Sequence, residues 1–157
     1  MKKLMSIITC MALCVMMVMP VSAAEITPVD NTVVSSEYDN GVMPLSTNYF
    51  TGSTSRMNSL NGVMSGMSKI SSGSISVGNP SVTSVSLNVT VSSGSSSFYL
   101  YVVSPSGKSA SKLVRSSGTV TFSEFNGEDP TGSWYVYIIT TGTVSTATAR
   151  MTVNYSY

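Results

Sequence analysis

Apolar and polar residues alternate most clearly from Thr83 onward, where Val85, Leu87, Val89 and Val91 interleave with Ser84, Ser86, Asn88 and Thr90. A period of two places the aliphatic side chains on one side of an extended chain and the hydroxyl and amide groups on the other. The stretch therefore reads as a strand with one buried and one wet face. Ser92-Ser93-Gly94-Ser95-Ser96 is a turn, and the next alternating run, Phe98, Leu100 and Val102 against Tyr99 and Tyr101, is the expected hairpin partner. That run ends in Ser104-Pro105-Ser106-Gly107, a turn in which proline presets one backbone angle and glycine relaxes another. A short strand over 112–115 follows. Val120 and Phe122 then point inward on another, and Trp134, Val136 and Ile138 alternate with Tyr135 and Tyr137. In the last strand Ala149, Met151, Val153 and Tyr155 share a face. Phe98, Leu100, Val102, Phe122, Trp134, Val136 and Ile138 are the expected core.

The region before residue 80 is patterned less sharply. Asn48-Tyr49-Phe50 fits a first strand, whereas Met57, Leu60, Met64 and Met67 recur at helical spacings of three and four. Gly62, Gly66 and many serines oppose a helix, by up to about 1 kcal/mol for each glycine, so strands are expected here with at most a short helical turn. Methionines at such spacing usually fill irregular gaps in a core, and that reading is preferred to a soft binding stripe. The pattern as a whole predicts an all-β protein with almost no helix.

The amino-terminal end changes the composition argument. Lys2 and Lys3 precede an apolar run from Leu4 to Val18, and Pro20-Val21-Ser22-Ala23-Ala24 supplies small residues for cleavage, so residues 1–23 read as a secretory signal peptide. The run is short of the ~20 apolar residues that span a bilayer, and no stable membrane insertion is expected once it is cut. Cleavage removes Cys10 and Cys14 together with Lys2 and Lys3. Six of the eight basic residues then stand against seven acidic ones. Such a balance gives no electrostatic footprint for nucleic acid. Because the chain has no histidine and the secreted part no cysteine, thiol nucleophiles, imidazole bases, disulfides and the usual zinc ligand sets are excluded. Residues 24–45, with Pro28, Asp39-Asn40-Gly41 and Pro44, read as a flexible lead-in, and 46–157 as a single domain.

A strand ending in Ser104-Pro105-Ser106-Gly107, followed by Phe125-Asn126-Gly127-Glu128, Gly132 and Trp134, resembles the proprotein convertase P domain. The bacterial pre-peptidase C-terminal domain is similar too. The resemblance covers about residues 81–157. It implies an antiparallel, jelly-roll-like β-sandwich of about seven to nine strands, carried beside secreted peptidases, with the glutamate after Phe-x-Gly held in the turn before the tryptophan strand. Ser97 and Thr140 or Thr141 stand where these families commonly place carboxylates, so no tight calcium site is expected. Glu128 and Asp129 are the weak metal candidates, and no cofactor is expected.

Candidate chemistry is sparse. A serine nucleophile needs a base within reach, and only Lys69, Lys108 and Lys112 are present, each expected to be solvated and charged. Glu124, Glu128 and Asp129 form the one acidic cluster after the lead-in, and a carboxylate-dependent hydrolase built on them is the remote alternative. A non-enzymatic role is expected. Tyr99, Tyr101, Tyr135 and Tyr137 alternate away from the core of their strands. Cross-strand packing on a wet face explains tyrosine there without any ligand. The functional reading makes the four an aromatic surface for an extracellular protein or a glycan, provided that both strands share a sheet. The sequence thus points to a secreted, non-catalytic recognition or accessory module, with carbohydrate binding as the alternative.

Overall fold

A computed structural model describes residues 45–157. The signal-peptide expectation for 1–23 and the lead-in expectation, but for Leu45, fall outside the described residues.

Every regular element among the described residues is a strand: β1 (Thr47–Ser53), β2 (Met57–Leu60), β3 (Ser68–Ser71), β4 (Ser81–Val91), β5 (Phe98–Val103), β6 (Ser109–Val114), β7 (Gly118–Phe122), β8 (Ser133–Thr140) and β9 (Val144–Ser156). One sheet runs β1-β9-β4-β7 with β2 also on β9, and the other runs β3-β8-β5-β6, all pairs antiparallel. Since β1 and β2 occupy successive lengths of β9, they act as one interrupted strand. The pairs are then nested, β1 and β2 with β9, β3 with β8, β4 with β7 and β5 with β6. This is a long double-stranded ribbon folded at the Pro105 turn and rolled so that alternate pairs fall in opposite sheets. Extra pairing of β9 with β4 and of β8 with β5 completes the two sheets, which is the jelly-roll arrangement.

Rolling explains one departure from expectation. The adjacent strands β4 and β5 do not form a hairpin, because β4 lies in the β9 sheet and β5 in the β8 sheet. Their connection over residues 92–97 crosses the end of the sandwich. Alternation reports which face is buried and is silent about which neighbour a strand takes.

The core lies between the sheets. All seven expected core residues are fully buried, and Phe125, which lies in the loop before β8, joins them. Trp134 meets the Phe125 ring edge to face at 5.4 Å, and Phe122 packs behind Phe125 at 6.0 Å. The indole N–H donates to the Pro130 carbonyl at 3.0 Å, so the polar tip of the buried ring is satisfied.

Of the four residues at helical spacing, only Met57 enters the core. Leu60, Met64 and Met67 are about half exposed, which corrects the expectation that all four fill core gaps. Leu60 alternates outward on β2, opposite Met57 and Ser59, and a two-residue turn accounts for the other two: Asn61 and Gly62 both have positive φ, at 49° and 77°, and Val63 N–H donates to the Leu60 carbonyl at 2.9 Å. That left-handed pair is the favoured hairpin reversal, and glycine tolerates the conformation without penalty. It ends β2 in one sheet and sends the chain to the edge of the other, where Met64 bridges Ile139. The side chains around the turn are left outside.

Serine and threonine hydroxyls stand in for ladder partners where the strands are interrupted. Ala149 N–H donates to Thr54 Oγ1 at 2.8 Å in the break between β1 and β2. Thr140 N–H donates to Ser59 Oγ at 2.8 Å, and Ile138 N–H to Ser65 Oγ at 3.0 Å. Each removes an otherwise unpaired backbone donor from the interior. Closure of the sandwich edge depends on Gly52, where any Cβ would collide with the Ile70 side chain of β3.

Candidate functional site

The antiparallel register sets the geometry of the outer face of the β3-β8-β5-β6 sheet. Tyr101 lies opposite Tyr137, Tyr99 opposite Ile139, and Val103 opposite Tyr135, so all four expected tyrosines project from one face of one sheet. Tyr99 is exposed, while Tyr101, Tyr135 and Tyr137 are half-buried against one another and their neighbours. The Tyr101 and Tyr137 rings are parallel within 3° with centroids 4.8 Å apart. At that separation, close to the spacing of adjacent strands, the rings are stacked face to face.

The face extends beyond the tyrosines. Leu113 of β6 is opposite Tyr99, and with Ile139 it makes one row across β6, β5 and β8 that the isolated bridge at Met64 extends. Leu113, Tyr99, Met64, Met67 and Val63 are each exposed by more than a third. Tyr99, Leu113 and Met64 stand in one register row, so exposed apolar side chains lie side by side there rather than singly. Met64, Leu113 and Ile139 were missed by the sequence argument. Asn61-Gly62 was the legible signal, since a two-residue reversal there turns Val63 and Met64 out at the sandwich edge.

The acidic cluster lies at the Pro105 end of the sandwich and is occupied by lysines. Lys112 Nζ is 2.6 Å from Glu124 Oε1. Lys108 Nζ is 3.3 Å from Glu128 Oε1 and also donates to the Glu124 carbonyl. Ser106 Oγ donates to Glu128 Oε2 at 3.0 Å, tying the turn after β5 to the loop before β8, and Asp129 Oδ1 accepts the Thr131 N–H at 2.8 Å. Neither metal candidate thus has its carboxylate free of protein partners. Among the described residues no group of three or more potential metal ligands converges.

The lysine bond to Glu124 and that residue's own backbone N–H hold its carboxyl below the ordinary value of 4.5. For Glu128 partial burial pushes upward, but the hydroxyls of Ser104 and Ser106 and the Lys108 ammonium outweigh it, so its carboxyl is also held below 4.5. Neither therefore retains a proton near neutrality for general-acid work.

A depressed carboxylate contributes stability that is complete above its unfolded pKa and is lost as pH falls through its folded pKa. The thermal midpoint should therefore hold from neutrality down to about pH 5 and fall below the ordinary 4.5. Glu128→Gln should flatten part of that fall when melting is followed by circular dichroism against pH. An identical acid profile for the variant and the parent would show that Glu128 plays no part.

No protein-family model and no curated protein matches the chain. Among solved structures, one titled "Crystal Structure of FLHE" superposes with a TM-score of 0.52 at 13% identity, covering 72% of this chain and 98% of that one. At such identity the likeness supports the sandwich fold and nothing about its use.

Proposed function

We propose that the protein is a secreted, non-catalytic β-sandwich module, of the kind carried in P domains, that recognises another extracellular protein through the outer face of its β3-β8-β5-β6 sheet. The observation that carries this reading is the stacked Tyr101–Tyr137 pair, which lies beside the apolar row of Met64, Ile139, Tyr99 and Leu113 on one face of the sheet. Tyrosine offers a large, stiff contact area with a polar tip, and aromatic clusters supply the few residues that dominate an interface. The ring geometry favours a protein over a glycan. A sugar stacks on an open ring face, whereas the stacking of Tyr101 on Tyr137 closes one face of each ring.

Photo-crosslinking residues placed at Tyr99 and Leu113, with controls at Thr119 and Thr121 of β7, test the surface in the secreted fraction of the native source. A specific adduct should form from the first pair alone. Tyr101→Ala with Tyr137→Ala should then weaken binding of the captured protein by more than about 2 kcal/mol. Equal crosslinking from β7, or a partner whose affinity survives the double change, would contradict the proposal. Tight binding of a hexasaccharide, lost on the same change, would move the surface to the carbohydrate alternative.

A further inference from the structure

We infer that the partner segment which seats on this face is itself apolar and flanked by carboxylates; the inference depends on the recognition reading above and specifies its chemistry. Charge sets the chemistry of the occupant. The described residues carry six Lys and Arg but only Glu124, Glu128 and Asp129 as acids. Two of those acids are paired with Lys108 and Lys112, and the third caps the Thr131 amide, all at the Pro105 end. What remains around the tyrosine face is cationic. Lys69 lies on that face opposite Tyr135 at the β3 edge, and Arg115 follows β6 in phase with Leu113 at the other edge. Both are exposed, and no acidic side chain stands on any of the four strands.

An apolar centre with cations at two opposite edges selects against two occupants. A second copy of the described domain, placed face to face, brings four cations together with no carboxylate of the described residues on the facing strands, and like charges so juxtaposed are costly. A cationic segment meets the same repulsion. An acidic one gains at both edges while its apolar side chains cross Tyr137 and Tyr99, which lie on the diagonal between Lys69 and Arg115. That diagonal runs about 14 Å across the strands and about 20 Å along them, which matches seven or eight residues of an extended chain. Rim pairs of this kind set association rate and discrimination more than total affinity.

The test uses the full chain and three synthetic peptides that share a Val and Leu core and differ only in their flanking residues, Glu, Gln or Lys. Binding is read from amide chemical shifts at low ionic strength. The Glu peptide should shift Tyr99, Tyr101 and Tyr137 and bind about three- to tenfold tighter than the Gln peptide, with the Lys peptide weakest, as two exposed ion pairs allow. Lys69→Glu combined with Arg115→Glu, both at exposed positions and checked for an unchanged melting temperature, should reverse that order. Added salt should level it.

Equal affinity for the three peptides, tighter binding of the Lys peptide, or an order untouched by the charge swap would overturn the acidic partner while leaving the recognition face in place. Concentration-dependent dimerisation that buries the same tyrosines would instead seat a second copy there and overturn it. Shifts confined to the outer face of the other sheet, or no binding by any peptide, would sink the recognition reading as well.

Discussion

Trp134→Ala should lower the free energy of unfolding by about 3 to 5 kcal/mol, the range for deleting a large aromatic from a close-packed interior. The indole is fully buried, and its ring supports Phe125, which in turn contacts Phe122. Removing it opens a cavity against the Phe125 ring and leaves the Pro130 carbonyl without its donor. The second loss has its own cost, because a buried acceptor stripped of its partner also lacks water. Denaturant unfolding followed by far-ultraviolet circular dichroism measures the change, and Trp134→Phe should recover part of it by refilling much of the cavity. A midpoint unchanged in Trp134→Ala, or parent fluorescence at the wavelength of free indole, would remove Trp134 from the core.

Ser59→Ala should cost about 1 to 3 kcal/mol, more than most serine substitutions, because one hydroxyl serves two backbone groups. Its oxygen accepts from the Thr140 amide at 2.8 Å, and its proton goes to the Val63 carbonyl on the far side of the Asn61-Gly62 turn. Alanine would orphan a buried donor on β8 and loosen the turn that delivers Met64 to Ile139. A control at exposed Ser111 should change stability by no more than about 0.5 kcal/mol. Equal melting of Ser59→Ala and Ser111→Ala would show that the Ser59 hydroxyl carries no stability of its own. Faster amide hydrogen exchange at Thr140 and Ile138 than in the parent would locate the damage at the interrupted strands.

The aromatic face was legible in part. Alternation placed Tyr99, Tyr101, Tyr135 and Tyr137 opposite the core residues of their own strands. It could not say that β5 and β8 are direct neighbours, or that the register sets Tyr101 against Tyr137. Met64 and Met67 were misread for a related reason. Spacings of three and four along the chain suggest a helical stripe, but the Asn61-Gly62 reversal cuts that stripe in two and turns its second half to solvent.

The local pattern of side chains by itself determined that the chain from Thr83 on is built of strands, which face of the clearly alternating ones is wet, and seven of the residues that fill the centre. These follow from the two-residue period of a strand and from the cost of leaving apolar area in water. Only the tertiary structure decided the rest. Nesting of distant pairs, such as β1 with β9, assigned the strands to two sheets and separated β4 from β5. It also gave the serines their roles: Ser59 and Ser65 resemble any other serine in the sequence, and they become structural only because β8, more than 70 residues later, brings unpaired amides within 3.0 Å of them. Backbone groups must find partners wherever the fold puts them, and that demand arises between segments far apart in the chain.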